Sequence, residues 1–305
     1  MKYNINKLGY LLALFSCHAL AAITVQDDAG KTITLAKPAQ RVLTLAPHVT
    51  ELVFAAGGGD RIVGTVSYSD FPPAAKKIPL VGDNRQVDME RVLALKPDLI
   101  VVWMHGNADR QIEMLRKLNI PLFQSEPHKL GDIADNIERI GKLLGTEKVA
   151  QQAADEQRAK LAALKARYGN RSPVRMMYQV WDKPLYTLNG KHIVSDAIRL
   201  CGGENIFANM TVIAPNVTVE AVLQENPEAI LSGDQRNQNG GGVSLWKAYP
   251  TMQAVRNGNL FSLDGDLLSR SGPRMVEGTA ALCEKLELAR QHRSAHPAGP
   301  GKVQP

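Results

Sequence analysis

The chain has 305 residues, 44% of them hydrophobic and 22% charged, and a formal net charge of +6; that length favours two domains over one. Beyond residue 21 no segment is long and apolar enough to cross a bilayer. The charge excess sits at the two ends (Lys2 and Lys7; Arg290, Arg293 and Lys302), so no basic stripe with interleaved aromatics marks a nucleic-acid surface.

In chain order, Lys2 and Lys7 open a basic start, Leu8 to Phe15 is apolar, and Ala19-Leu20-Ala21 supplies a small-x-small cleavage site. This pattern predicts an export signal, residues 1–21, removed after Ala21. Leu14-Phe15-Ser16-Cys17 loosely resembles a lipobox, so lipidation at Cys17 is the alternative. The first half then reads as strand 41–45, helix 50–56, strand 62–66, helix 88–95, strand 98–103, helix 107–118 and strand 120–124. Such alternation predicts an α/β lobe over 22–145. Gly145-Thr146-Glu147 reads as a helix stop followed by a new cap, opening a helix over 146–168 that is long enough to join two lobes. The second half, 169–290, continues with strand 174–180, helices 195–201 and 218–225, strands 228–231 and 260–263, and helix 273–289. The Pro- and Gly-rich tail, 291–305, is expected to be disordered.

Two phrases occur twice. "VDMERVLALKPDLIVVW" (87–103) and "VTVEAVLQENPEAILSG" (217–233) align at a constant offset, Glu90 with Glu220 and Pro97 with Pro227. In each, Asp88 or Thr218 caps a short helix, the glutamate sits in its first turn, the proline ends it, and a buried strand follows. "TELVFAAGGGDRI" (50–62) likewise resembles "SDAIRLCGGENI" (195–206), with Thr50 and Ser195 as expected N-caps and the glycines closing the helices. Because these glycines follow a helix rather than a strand, Gly57-Gly58-Gly59 is not a dinucleotide fingerprint. Two matching lobes with mostly parallel sheets make a cleft beyond their strand ends, where Trp103 should stand.

Enzymatic signatures are missing from the sequence. There is no Ser-nucleophile elbow, phosphate loop or helical zinc-protease motif. His48, His105, His128 and His192 lack ligand spacing, and only His48 follows a strand end; a metal-dependent enzyme or metallochaperone using His48 and His105 is the remaining catalytic reading. Tyr68, Trp103 and Tyr186 fall at predicted strand ends and together favour a flat, partly apolar ligand over ordinary packing. Asp266 and Arg270, after the last strand, are candidate polar anchors. Glu90 and Glu220 either complement their helix dipoles or, being equivalent on two lobes, grip a symmetric basic partner. Cys201 and Cys283, exported together, are most simply a disulfide, with two buried thiols as the alternative.

Over roughly residues 40–290 the chain resembles the periplasmic vitamin B12-binding proteins of ABC importers, within the helical-backbone (class III) substrate-binding protein family that also carries haem and siderophores. The resemblance rests on "VSYSDFPPAAKKI" (66–78), "MERVLALKPDLIVVW" (89–103) with "GNADRQ" (106–111), "CGGENIF" (201–207) and "SRSGPR" (269–274). It implies two α/β lobes joined by one rigid helix, a monomer in the periplasm, no prosthetic group and cobalamin as ligand. Residue by residue it implies Tyr68, Trp103 and Tyr186 as aromatic contacts, and Asp266 and Arg270 as polar ones. Glu90 and Glu220 become the pair that docks on the inner-membrane permease dimer, and Cys201–Cys283 the family disulfide. Asn84, Ala214, Leu267 and Ser269 depart from the family's aromatic and acidic cradle. Haem or a ferric siderophore, with Tyr68, His105 or Tyr186 as a haem ligand, is therefore the alternative cargo.

Overall fold

A computed structural model of the chain describes residues 22–83, 85–107, 109–233 and 242–295. The expected export signal, Asn84 and the end of the tail lie outside them. An antiparallel hairpin leads, β1 (Ile23–Gln26) and β2 (Thr32–Leu35), followed by β3 (Val42–Thr44), α1 (Pro47–Ala55), β4 (Ile62–Gly64), α2 (Met89–Leu95) and β5 (Leu99–Trp103). Next come α3 (Asp109–Arg116), β6 (Leu122–Ser125), α4 (Leu130–Leu144) and α5 (Glu147–Tyr168). The second half holds β7 (Val174–Gln179), the small hairpin β8 (Trp181–Asp182) and β9 (Leu185–Tyr186), α6 (Ile193–Leu200), β10 (Gly203–Asn205) and α7 (Val219–Glu225). It closes with β11 (Ala229–Ser232), α8 (Gln253–Arg256), β12 (Leu260–Ser262), α9 (Gly265–Ser269) and α10 (Met275–Ala295).

Two four-stranded parallel sheets result, ordered β4-β3-β5-β6 and β10-β7-β11-β12. The orders are the same when β3 is matched with β7, β4 with β10, β5 with β11 and β6 with β12. The repeated phrases are thus a repeat of topology. Their local chemistry repeats as well: Asp88 accepts from the Arg91 N–H at 3.0 Å and Thr218 from the Ala221 N–H at 3.2 Å. Lys96 and Asn226, each just before the proline, close α2 and α7 in left-handed geometry. Gly57 and Gly202 (φ +82° and +69°) likewise end α1 and α6, as a residue without a Cβ does most cheaply.

Each sheet is covered on both faces, which explains its unbroken apolar runs. One buried cluster is continuous through the molecule, from Val42, Leu99 and Phe123 of the first sheet through Ile137, Leu144 and Ala150 to Val174, Ile198 and Leu286 of the second half. The opposite faces close separately around Leu43, Ile100 and Leu115, and around Met177, Ile230 and Trp246. The long helix α5 runs unbroken from Glu147 to Tyr168 and bridges the two lobes.

Several expectations need correction. Thr50 and Ser195 are not N-caps: the caps are Ala46, with Pro47 at the first helical position, and His192, whose Nδ1 accepts the Val194 N–H at 3.2 Å. The two hydroxyls are taken up inside instead. Thr50 joins a buried cluster with Thr44 and Thr65, and Ser195 donates to the Asn189 carbonyl. Thr146 does precede α5, but its hydroxyl donates to the Ala56 carbonyl at 2.6 Å and caps nothing. The last helix does not stop at 289, and residues 291–295 of the expected tail are helical. Arg290 is buried against the Ser172 and Cys201 carbonyls and Arg293 pairs with Glu228, so the helix is held to Ala295. The hairpins β1–β2 and β8–β9 and the edge strand β10 are further elements that the patterns did not reveal.

Candidate functional site

A cavity lined by both lobes, about 460 Å³, lies where strand ends meet, a size typical of small-molecule sites. The first lobe contributes Ala46–His48 after β3, Val66–Tyr68 and Asp70 after β4, and Trp103 at the end of β5; the second contributes Asp266, Ser269 and Arg270 after β12.

Trp103 is set by its neighbours. Its backbone N–H donates to Asn107 Oδ1 at 3.1 Å, and Asn107 Nδ2 donates to the Leu45 carbonyl. A Cβ on Gly106 would fall 1.7 Å from the indole ring, so only glycine lets the backbone lie against it. His48 meets the indole at right angles, centroids 5.4 Å apart. These contacts explain Gly106 and Asn107 of "GNADRQ". His48 itself is 3% exposed, and its Nε2 has no hydrogen-bond partner among the described residues. Burial pushes its pKa down to about 4; Asp28 opposes this and Arg270 adds to it, so the ring is neutral at neutral pH.

Tyr68 sits in a loop held by pairing of Thr65 and Ser67 with the 79–82 backbone. Its φ is +67° and its side chain is 74% exposed. Such a conformation costs a bulky residue roughly 1–3 kcal/mol. The loop pairing outweighs that strain and presents an exposed phenol at the mouth of the cleft.

Across the seam lies a charge cluster. Arg270 donates to Asp266 at 2.9 Å on its own lobe and to Asp70 at 2.7 Å on the other, with Glu51 at 3.4 Å. Arg274 forks onto buried Glu51 at 2.7 and 3.0 Å, and its guanidinium stands 4.2 Å over the Phe71 ring. Burial opposes the charge of Asp70, but its hydrogen bond to Arg270 and that cation outweigh the penalty and hold its pKa below the usual range. The hydrogen bond to Glu51 raises the Arg274 pKa. Gly272 packs on the backbone of His48, and the Gln157 amide of α5 donates to the Pro273 carbonyl.

Of the residues expected in the site, Tyr68, Trp103, Asp266 and Arg270 meet in the cleft. Tyr186 does not line this cavity; it stands 36% exposed on the β8–β9 hairpin. Glu90 and Glu220 sit in the first turns of α2 and α7, outside the cleft. Among the departures from the family pattern, Ser269 lines the cavity and Ala214 is exposed. The histidines do not converge: His105 pairs with Glu126 at 3.3 Å, His128 is exposed and His192 caps α6. Among the described residues no group of three His, Cys, Asp or Glu side chains is placed to hold a metal. Cys201 and Cys283 form a disulfide. The roles of Glu51, Asp70 and Arg274 escaped sequence reading, although each lies in a stretch singled out above; a buried ion pair leaves no local pattern.

Two parallel-sheet lobes, one linking helix and a ligand-sized cleft at the strand ends define a substrate-binding protein of the helical-backbone type. The chain belongs to the periplasmic binding protein family, which matches residues 42–267. It is 38% identical to the vitamin B12-binding protein of Vibrio cholerae serotype O1 over 255 residues, 83% of this chain and 91% of that one. The crystal structure of the periplasmic vitamin B12-binding protein BtuF of Vibrio cholerae superposes with a TM-score of 0.78 at 37% identity, over 83% of this chain and 99% of that one. The periplasmic haem-binding protein RhuT from Roseiflexus superposes with a TM-score of 0.71 at 25% identity, over 82% and 99%. No helix among the described residues is long and apolar enough to cross a membrane.

Proposed function

We propose that this protein, exported to the periplasm, captures cobalamin or a related corrinoid between its lobes and delivers it to an inner-membrane ABC importer, catalysing no reaction itself. The observation that carries this reading is the make-up of the cleft, in which Tyr68 and Trp103 face Asp266 and Arg270, in a chain whose relatives are named for vitamin B12 binding. Aromatic faces bury the apolar parts of a corrin, and a charged rim can meet its amide side chains. Tyr186 adds an aromatic contact from the second lobe. Delivery would use Glu90 and Glu220, at equivalent places on the two lobes, against basic residues of a permease dimer.

Haem is the second reading, because the exposed Tyr68 phenol could ligate its iron and a haem-binding protein shares the fold. Isothermal titration of the mature protein with cyanocobalamin, haemin and a ferric siderophore tests both. Heat with cyanocobalamin alone is expected; heat with haemin alone would reject the corrinoid reading.

A further inference from the structure

In the first lobe the residues that follow β3, Ala46–His48, line the cleft. The topologically equivalent strand of the second lobe is β7, and the residues that follow it form the β8–β9 hairpin. In its sheet β7 lies two strands along from β12, so the hairpin starts at the same sheet edge as α9, which carries Asp266 and ends at Arg270.

That hairpin leaves two aromatic side chains, Trp181 and Tyr186, exposed. Trp181 pairs directly with Tyr186, which places both rings on one face of the ribbon. Tyr186 bridges in turn to Asn216, and Asn189 pairs with the Ile213 backbone, so the 210–216 segment runs alongside the hairpin. The hairpin, the residue before it and the 210–216 segment carry six of the large apolar side chains exposed among the described residues: Val180, Trp181, Tyr186, Met210, Val212 and Ile213, with Trp181 at 52%. An apolar patch of this kind marks a binding surface. The Trp181 Nε1–H donates to the Lys183 carbonyl at 3.0 Å, so the indole's one polar group is satisfied within the turn and its faces are left open. A ring with its polar edge satisfied and its plane held loses little entropy on binding.

We infer that Trp181 is a specificity-determining ligand contact: with Tyr186 it forms the second lobe's aromatic wall, on which the apolar face of the corrin ring rests opposite Tyr68 and Trp103. This inference rests on the corrinoid reading. The patch sits at the carboxyl end of a central strand of its sheet, the edge from which the second lobe's cleft residues Asp266, Ser269 and Arg270 also come. A flat, partly apolar macrocycle is the occupant that a ring pair there would fit.

The test is titration of cyanocobalamin into the wild-type chain, Trp181→Ala and Trp181→Phe, with melting temperatures and sedimentation measured on each. The alanine variant should bind at least tenfold more weakly and the phenylalanine variant within about threefold. Both should melt as the wild type does, because the side chain is half exposed. Wild-type affinity in Trp181→Ala would overturn this assignment alone. So would a change confined to sedimentation, which would make the patch a contact between copies. No binding by the wild-type chain would overturn the corrinoid reading, and this inference with it.

Discussion

Gly106 shows how a residue without a side chain can shape a binding surface. Because its Cα lies against the Trp103 indole, Gly106→Ala must push the ring toward His48 or out into the cleft. We expect cobalamin affinity to fall by about tenfold or more with little loss of stability, read by titration calorimetry and thermal melting. His192 carries a different prediction. Burial, with a smaller contribution from His128, pushes its pKa down to about 4, and only the neutral ring can accept the Val194 N–H that caps α6. A folded-state pKa below the unfolded 6.5 means its contribution is complete above pH 6.5 and lost as pH falls toward 4. At about 1.4 kcal/mol per unit the loss is about 3 kcal/mol. His48, also at about 4, acts in the same window. His192→Asn, which caps without titrating, should remove about half of the decline in stability between about pH 6.5 and 4.5, measured by denaturation across pH.

Among elements, α6 and α10 show how a distant tie fixes local geometry. Cys201 at the end of α6 and Cys283 within α10 are 82 residues apart in sequence, and their Cα atoms are 4.7 Å apart. Closing so long a loop stabilises by about 4.5 kcal/mol in the chain-entropy model. Reduction, or the double serine variant, should therefore lower the unfolding free energy by up to that amount, measured in urea with and without reductant. The duplicated phrases were readable because caps, first-turn glutamates and prolines are local signals. The edge strand β10 was not: Gly203-Glu204-Asn205 has little strand propensity and pairs only because β7 presents an open edge. The hairpins β1–β2 and β8–β9 were missed for a related reason, since such short runs carry too little period to be heard above their flanking turns.

At the scale of the whole molecule, the seam between lobes is pinned by a buried carboxylate. Glu51, 3% exposed, holds Arg274 and Arg270 from the other lobe. Removing one partner of a buried pair strands the other charge, so Glu51→Gln should cost about 3 kcal/mol in chemical denaturation. The core that runs unbroken through α4 and α5 into the second half limits lobe motion further, as packed interiors do not deform smoothly. A surface pair tests delivery: charge reversal of Glu90 and Glu220 together should abolish importer binding in a pull-down with the permease in nanodiscs. Cyanocobalamin affinity should stay within about twofold, because neither residue lines the cleft.

By itself the sequence determined what short-range chemistry encodes. That includes the alternation of strands and helices, the repeat at constant offset, the caps of α2 and α7, and a linking helix whose expected span, 146–168, lies close to the observed Glu147–Tyr168. It also pointed to Tyr68, Trp103, Asp266 and Arg270, since strand ends in parallel sheets face the cleft. Only the tertiary structure decided which partners those residues meet. Arg270 and Glu51 are 219 positions apart, and no periodicity links groups that come together only when two lobes close on one helix. The same holds for Thr50 and Ser195: each had the sequence of a cap, yet each lies buried inside its helix, where its hydroxyl takes the hydrogen-bond partner that a buried polar group needs.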